Sequence, residues 1–330
     1  MPKVNIITPF VSNEFSRQVS TKWDQDFIFF ENGPQEEKYD LIVVYEGLNS
    51  RTRINCNKEN IVFISGEPPM SRRYTKSFLS QFATVISSHP NIKHHNNILY
   101  QQSLPWHFGL DFKTRAYNYS FDELQSLQLP QKTKKLSIIA SSKTMMPGHN
   151  KRVKFVNELK KAFGDSIDFY GKDTNPVNDK ADAILPYQMS ICIENSAINN
   201  YWTEKIADVL LGYSLPIYHG CLNIDNYFHD KSFISLDVKN INKGIKQIEY
   251  LLDNCDTIYK ERLPFIIEAR NLLLNKYNIY PSIIDLYNKN SLNKNTSSIS
   301  IELQPNHAFN DYKLTMNLLR LERFSKKLLT

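Results

Sequence analysis

Residues 189–220, MSICIENSAINNYWTEKIADVLLGYSLPIYHG, hold a buried strand, a polar loop, a charged helix start and a second strand in one unit. Ile191-Cys192-Ile193 is short, apolar and β-branched, as a strand buried on both faces of an α/β sheet should be, and Glu194-Asn195 follow at its carboxyl end. Ligands of open α/β sheets bind at that edge. A helix is expected to begin near Thr203, because Ile206, Val209, Leu210 and Tyr213 recur at helical spacing and Gly212 lies close to its end. Lys205 in its first turn opposes the helix dipole, so an anion attracted by both dipole and ammonium would explain it, and a phosphate fits. The alternative is a solvated lysine on a surface turn.

The stretch IENSAINNYWTEKIADVLLGYSLPIYHG, 193–220, resembles the donor-binding signature of the α1,3-fucosyltransferase family. That signature has Glu-Asn after an aromatic-rich strand, a Tyr-x-Thr-Glu-Lys helix start and a Pro-Ile/Val-Tyr strand. FISGEPP at 63–69 and HNKRVKFVNELKK at 149–161 extend the likeness to roughly residues 60–240. The N-terminal sixty and C-terminal ninety residues, approximately, fall outside it and are where acceptor specificity is expected to vary.

At 330 residues the chain suits two domains rather than one core. Its 41% hydrophobic and 22% charged residues are those of a soluble globular protein. No run approaches the roughly eighteen apolar residues of a membrane span, and MPKVNIITPF lacks a signal-peptide pattern, so a cytoplasmic location is expected. Cys56, Cys192, Cys221 and Cys255 lack CxxC spacing and read as structural thiols. The net charge of +6 suits anionic partners such as nucleotide sugars or acidic lipids. Nucleic acid is not expected, since no aromatic-interleaved basic patch is visible.

Along residues 1–126 the runs VNIITPF, DFIFF, YDLIVVYE, NIVFISGE, ATVISS and NILYQQSLPW read as strands of an acceptor-side α/β domain. LQLPQKTKK, with 127–135 taken as a linker, loses that periodicity. LSIIASS, SIDFYG, MSICIEN, LPIYHG and FISLDV then alternate with helical segments across a donor domain, 136–287. The fold class is α/β, with two Rossmann-like doubly wound domains and C-terminal helices; the resemblance implies that they face across a cleft in the GT-B arrangement. Residues 288–311 are expected to be a polar linker, of which 288–298, NKNSLNKNTSS, reads as low-complexity and mobile. In 312–330 an amphipathic helix places Leu314, Leu318, Leu321, Phe324, Leu328 and Leu329 on one face, with Lys313, Arg320, Arg323, Lys326 and Lys327 mostly opposite. It would dock on the protein body, on a partner subunit, or on an anionic membrane surface, which would make the protein peripheral there.

Sugar transfer from a nucleotide diphosphate needs a base, positive charge for the leaving group and a pocket that excludes water. Glu67 follows an apolar strand and a glycine, on a turn stiffened by Pro68-Pro69. The resemblance assigns such a glutamate the role of general base, although Pro68 stands where the family often has asparagine. The alternative is a loop glutamate capping a helix that begins at Met70 or Ser71. Arg152, read at a helix start after a Pro147-Gly148 turn, has the fork that suits a diphosphate, and the family's matching arginine contacts the donor pyrophosphate. With Lys143, Lys151 and Lys154 nearby, it would otherwise belong to a basic helix surface. Lys205 is the second phosphate candidate, and Glu204 can accept from ribose hydroxyls. Asn195 and Tyr201 match family positions that line the donor site, while Glu194 would orient the loop.

Competing motifs are weak. Asp24-Gln25-Asp26 has the DxD form that holds a metal-bound diphosphate elsewhere, but it lies far from the donor segment and reads as a solvated turn. His89, His94 and His95 fit neither HExxH nor a zinc ribbon, and Trp106-His107 reads as core or cleft wall. No GxSxG, P-loop or GxGxxG occurs. The expectation is a metal-independent, inverting transferase without a cofactor, moving L-fucose from GDP-fucose to a glycan hydroxyl in surface-glycan or lipopolysaccharide synthesis. The alternatives are a transferase of the same fold with another nucleotide sugar, and a catalytically silent carbohydrate-binding or assembly protein.

Overall fold

The computed structural model describes residues 1–10, 14–140, 147–172, 174–288 and 299–328. The first part of the chain forms β1 (Lys3–Ile7), β2 (Ile28–Glu31), β3 (Lys38–Tyr39), β4 (Leu41–Tyr45), β5 (Thr52–Cys56), β6 (Ile61–Ile64), the short α1 (Lys76–Leu79), β7 (Thr84–Ser87) and β8 (Asn97–Leu99). Then come α2 (Phe121–Ser126), β9 (Lys134–Ile139), α3 (Pro147–Phe163), β10 (Asp168–Tyr170), β11 (Tyr187–Ile193), α4 (Glu204–Leu211), β12 (Leu215–His219), β13 (Ile234–Ser235), α5 (Ile241–Asp253) and α6 (Cys255–Asn275). The chain closes with α7 (Ile279–Asn288), β14 (Ile299–Leu303) and α8 (Tyr312–Leu328).

Two compact units result: Met1–Pro105 with Asn278–Thr330, and Trp106–Tyr277. The first holds a parallel sheet of order β2-β1-β4-β6-β7-β8. Its β4 and β6 are buried along their whole length, which is why LIVVY and IVFI are unbroken apolar runs rather than alternating ones. The second unit holds a parallel sheet of order β10-β9-β11-β12-β13. In both sheets the order reverses beside the first strand, at β1/β4 and at β9/β11, as in doubly wound folds. The α/β class with two parallel-sheet units is therefore as the sequence implies, and each of the eleven apolar runs read as a strand contributes one to these sheets.

The borders differ from the reading. Residues 127–135 are tied to the second unit: the Tyr213 hydroxyl donates to the Leu127 carbonyl at 2.8 Å, and Lys134 opens β9. Between them the Lys132 ammonium donates to the carbonyls of Leu185 and Gly212 and to Ser214 Oγ, at 2.9, 2.6 and 3.0 Å. Three acceptors around a half-buried ammonium hold a segment that composition alone presents as a linker. Residues 278–287 return to the first unit, where Ile279, Tyr280 and Ile283 pack with Val4, Ile6 and Val43. Within the expected 288–311 linker, β14 pairs antiparallel with β5 and Leu303 joins a core cluster with Ile54 and Cys56. Residues 289–298, the rest of the polar stretch, lie outside the described residues.

Candidate functional site

In the second unit a cavity of about 360 Å³ opens at the carboxyl edge of the sheet, where β9 and β11 part. Ile138, Ile139 and Ala140 from the end of β9 and Ser190–Ile193 from β11 form its floor. Arg152 of α3, Lys180, and Glu204, Lys205 and Asp208 of α4 supply its charged wall. This is the switch-point crevice in which open α/β sheets bind ligands, and its volume lies in the range of small-molecule pockets.

The chain reaches this arrangement by local means. Thr203 caps α4, its side chain accepting from the Lys205 amide. The Thr203 amide and hydroxyl donate to the buried Glu194 carboxylate at 2.9 and 2.8 Å, which locks the helix start to the end of β11. Gly220 makes room for this: a Cβ there would lie 2.4 Å from Glu194 Cγ. The Lys205 ammonium sits 3.3 Å from Glu194 and 3.2 Å from Glu204, so the anions that offset the dipole's repulsion come from the chain itself, and Lys205 is no solvated surface lysine. Lys180 pairs with Asp208 at 2.7 Å, and the other Asp208 oxygen accepts the amides of His107 and Phe108, each at 2.9 Å. Burial pushes the Glu194 carboxyl above the usual carboxylate range. Glu204 is held well below it, despite burial, by Lys205 and Lys180.

Arg152 does not begin its helix. α3 starts at Pro147, a residue favoured at a first helical position because its missing N–H has no intrahelical partner to lose, so Arg152 falls in the second turn. Lys143, part of the basic-surface alternative, lies outside the described residues. Arg152 itself is buried at 6% exposure, and Nη1 donates to Asn195 Oδ1. Burial lowers its pKa, partly offset by the charge of Glu194. The structure thus brings Arg152, Glu204 and Lys205 to one cavity, with Asn195 hydrogen-bonded to Arg152. Tyr201 is buried, and neither it nor Asn195 is among the side chains forming the cavity wall.

Glu67 belongs to the first unit, in the turn after β6, and its side chain is exposed. It caps no helix at Met70 or Ser71, since residues 68–71 form a turn and α1 begins only at Lys76, capped by Thr75. Its amide donates to Glu46 Oε1 at 2.7 Å, and Glu46 also pairs with Arg72 at 2.9 Å. Asp24 and Asp26 stand exposed on a separate turn, the four cysteines are buried and unpaired, and Trp106 is core. Among the described residues no group of three or more His, Cys, Asp or Glu is placed to hold a metal.

Lys180 and Asp208 escaped the sequence reading, whereas His107, read with Trp106 as core or cleft wall, lines the cavity. A usable signal existed for Asp208, because every other position of 206–211 is apolar and an acid in such a run needs a buried partner.

Residues 129–263 match the family described as glycosyltransferase family 10 (fucosyltransferase), C-terminal part. Over 76 residues the chain is 36% identical to alpha-(1,3)-fucosyltransferase FucT of Helicobacter pylori, a match covering 23% of this chain and 16% of that protein. Two crystal structures of α1,3-fucosyltransferase share the fold. One, with GDP, has a TM-score of 0.51 at 19% identity over 84% of this chain and 92% of the other. The second has a TM-score of 0.50 at 18% identity over 85% and 93%. Residues 193–220, which supply part of the wall of the switch-point cavity, lie inside the segment that is similar to this fucosyltransferase family.

Proposed function

We propose that this chain is an inverting glycosyltransferase that moves L-fucose from GDP-fucose to a glycan hydroxyl, in the manner of α1,3-fucosyltransferases. The observation that carries this reading is the placing of Arg152, Glu204 and Lys205 around one cavity at the β9/β11 switch point, inside the stretch matched to the fucosyltransferase family. Glu67 takes the acceptor proton as the acceptor oxygen bonds to the anomeric carbon, and the bond from that carbon to the diphosphate oxygen breaks. Arg152 and Lys205 offset the charge of the departing GDP, a contribution worth a few kcal/mol at such sites. Glu204 accepts from ribose hydroxyls, and Asn195 and Tyr201 support the donor loop. Tests of nucleoside diphosphate release, GDP from GDP-fucose or GDP-mannose and UDP from UDP-sugars, across a glycan panel decide the reading. Fucose transfer supports it, transfer from another donor alone replaces the sugar, and donor binding without turnover favours a silent binding protein.

No metal or other cofactor is needed in this proposal, since side-chain cations meet the diphosphate charge. Turnover is expected to survive a strong chelator. Its loss, with recovery on adding a divalent ion, would overturn metal independence and bring Asp24 and Asp26 into question.

The acceptor we propose is a lipid-linked or surface glycan such as a lipopolysaccharide intermediate, reached from the cytoplasmic face by α8. No described helix is long and apolar enough to cross a membrane. α8 docks on its own unit through the face carrying buried Leu319, with Glu322 paired to Arg73 and the Arg323 guanidinium donating to the carbonyls of Met70 and Ser71. Its opposite face exposes Leu314, Leu318, Leu321 and Phe324, by 64, 50, 66 and 64%. Lys313 and Arg320 stand exposed beside that stripe. Leu329 and the side chains of Lys327 and Leu328 lie outside the described residues. An apolar stripe flanked by cations suits an anionic bilayer surface. Serine at Leu314, Leu318, Leu321 and Phe324 together should abolish sedimentation with phosphatidylglycerol vesicles and leave GDP affinity unchanged. Absence of vesicle binding by the unaltered protein would defeat the membrane reading, and a change in oligomeric state in the variant would favour a partner subunit. Truncation after Ser298 is a poorer test, because it also removes β14 from the core of the first unit.

A further inference from the structure

We propose that Glu46 and His89 are positioning residues that hold the two peptide groups flanking the Glu67 Cα, so that the Glu67 carboxylate projects from a fixed main chain. The proposal rests on the reading of Glu67 as the base. On one side the Glu67 amide donates to Glu46 Oε1 at 2.7 Å. On the other, the Glu67 carbonyl accepts from His89 Nε2 at 2.6 Å and from Ser65 Oγ at 3.2 Å. A carbonyl can only accept, so His89 must carry its proton on Nε2. Burial keeps that ring below its ordinary pKa, consistent with a neutral imidazole in this tautomer.

Glu46 is an unusual residue to find here. It is 2% exposed and follows fully buried β4, with a backbone φ of +63° that glutamate rarely adopts. A buried carboxylate in a left-handed conformation persists only where its surroundings compensate for it. Arg72 Nη1 at 2.9 Å and the Glu67 amide provide that compensation. Gly66 lets the loop lie against this carboxylate, because a Cβ there would come within 2.7 Å of Tyr45 Oη and 3.2 Å of Glu46 Oε1. The buried polar groups at the end of β4 and after β7 thus converge on the main chain of one residue, Glu67. Of the residues in this cluster, Glu67 is the one whose carboxylate is left in solvent. A 1 Å displacement of a catalytic group can cost about 10²-fold in rate, which is the use such a clamp would have.

Hydrogen exchange at the Glu67 amide in the full-length protein, measured together with steady-state kinetics, tests this. Glu46→Ala should speed that exchange at least about tenfold, because the amide loses its acceptor. It should lower kcat by roughly 10- to 10²-fold with little change in donor KM or GDP affinity. Glu46→Gln keeps an acceptor for the amide and should recover most of kcat, and His89→Ala should repeat the loss of kcat. Unchanged exchange in Glu46→Ala would overturn the clamp. Faster exchange with full kcat, while Glu67→Gln is inactive, would show a clamp without catalytic purpose and overturn the positioning role. Normal turnover by Glu67→Gln would instead overturn the base reading itself. If Glu46→Ala does not fold, His89→Ala, which removes the donor to the Glu67 carbonyl, takes its place with kcat and GDP affinity as readouts, and an unchanged kcat would overturn the positioning role.

Discussion

Glu67→Gln should lower turnover by about 10²–10⁴-fold, the usual contribution of a general base, while GDP affinity stays where it was. The amide has the size and shape of the carboxylate but cannot take a proton from an attacking hydroxyl. Its main-chain bonds to Glu46 and His89 do not involve the side chain and should survive the change. Donor affinity should also survive, because the cavity with Arg152 and Lys205 is built wholly from the second unit, whereas Glu67 belongs to the first. Single-turnover measurement with saturating GDP-fucose separates the two quantities. Near-normal turnover would return Glu67 to a structural role. Glu46 would then be the next carboxylate to test, since burial raises its pKa toward the range in which a base works, although it is almost inaccessible.

The main sheets were legible because parallel strands covered on both faces must be largely apolar, and runs such as LIVVY and ICI satisfy that without reference to their partners. The third sheet, β14-β5-β3, was not. Thr52–Cys56, TRINC, is the half-exposed central strand of that sheet, held between Lys38–Tyr39 and Ile299–Leu303, the latter far along the chain. No local periodicity announces a partner at that distance. The same limit hid Lys132, whose three acceptors lie 53, 80 and 82 positions away, and so presented an anchored segment as a linker.

At the cavity the residue types and the cap at Thr203 followed from the Tyr-x-Thr-Glu-Lys pattern, because helix capping and strand ends are local. The charge balance was not local. Reading the helix start alone leaves Lys205 as an uncompensated cation, while folding delivers Glu194 from the preceding strand and Lys180 with Asp208 from either side. Lys205 therefore holds the fold together as well as facing the cavity, which alters what its replacement should do.

Arg152→Ala and Lys205→Ala should both weaken GDP binding by about 1–3 kcal/mol, the range for hydrogen bonds to charged groups, yet differ in stability. Removing Lys205 leaves the fully buried Glu194 side chain without the ammonium 3.3 Å away. Breaking such a pair from one side typically costs about 3–5 kcal/mol, so Lys205→Ala should melt well below the unaltered protein. The Thr203 bonds to Glu194 remain and keep the loss toward the lower end of that range. Arg152 donates to the neutral amide of Asn195, and its pKa is already lowered by burial, so Arg152→Ala relieves a desolvated cation and should cost less fold stability. Calorimetric titration with GDP well below both melting points, beside thermal melts without ligand, separates the effects. Unchanged GDP affinity in both folded variants would remove the diphosphate from this cavity. Equal melting temperatures for the two variants would mean that Lys205 faces the cavity without supporting Glu194.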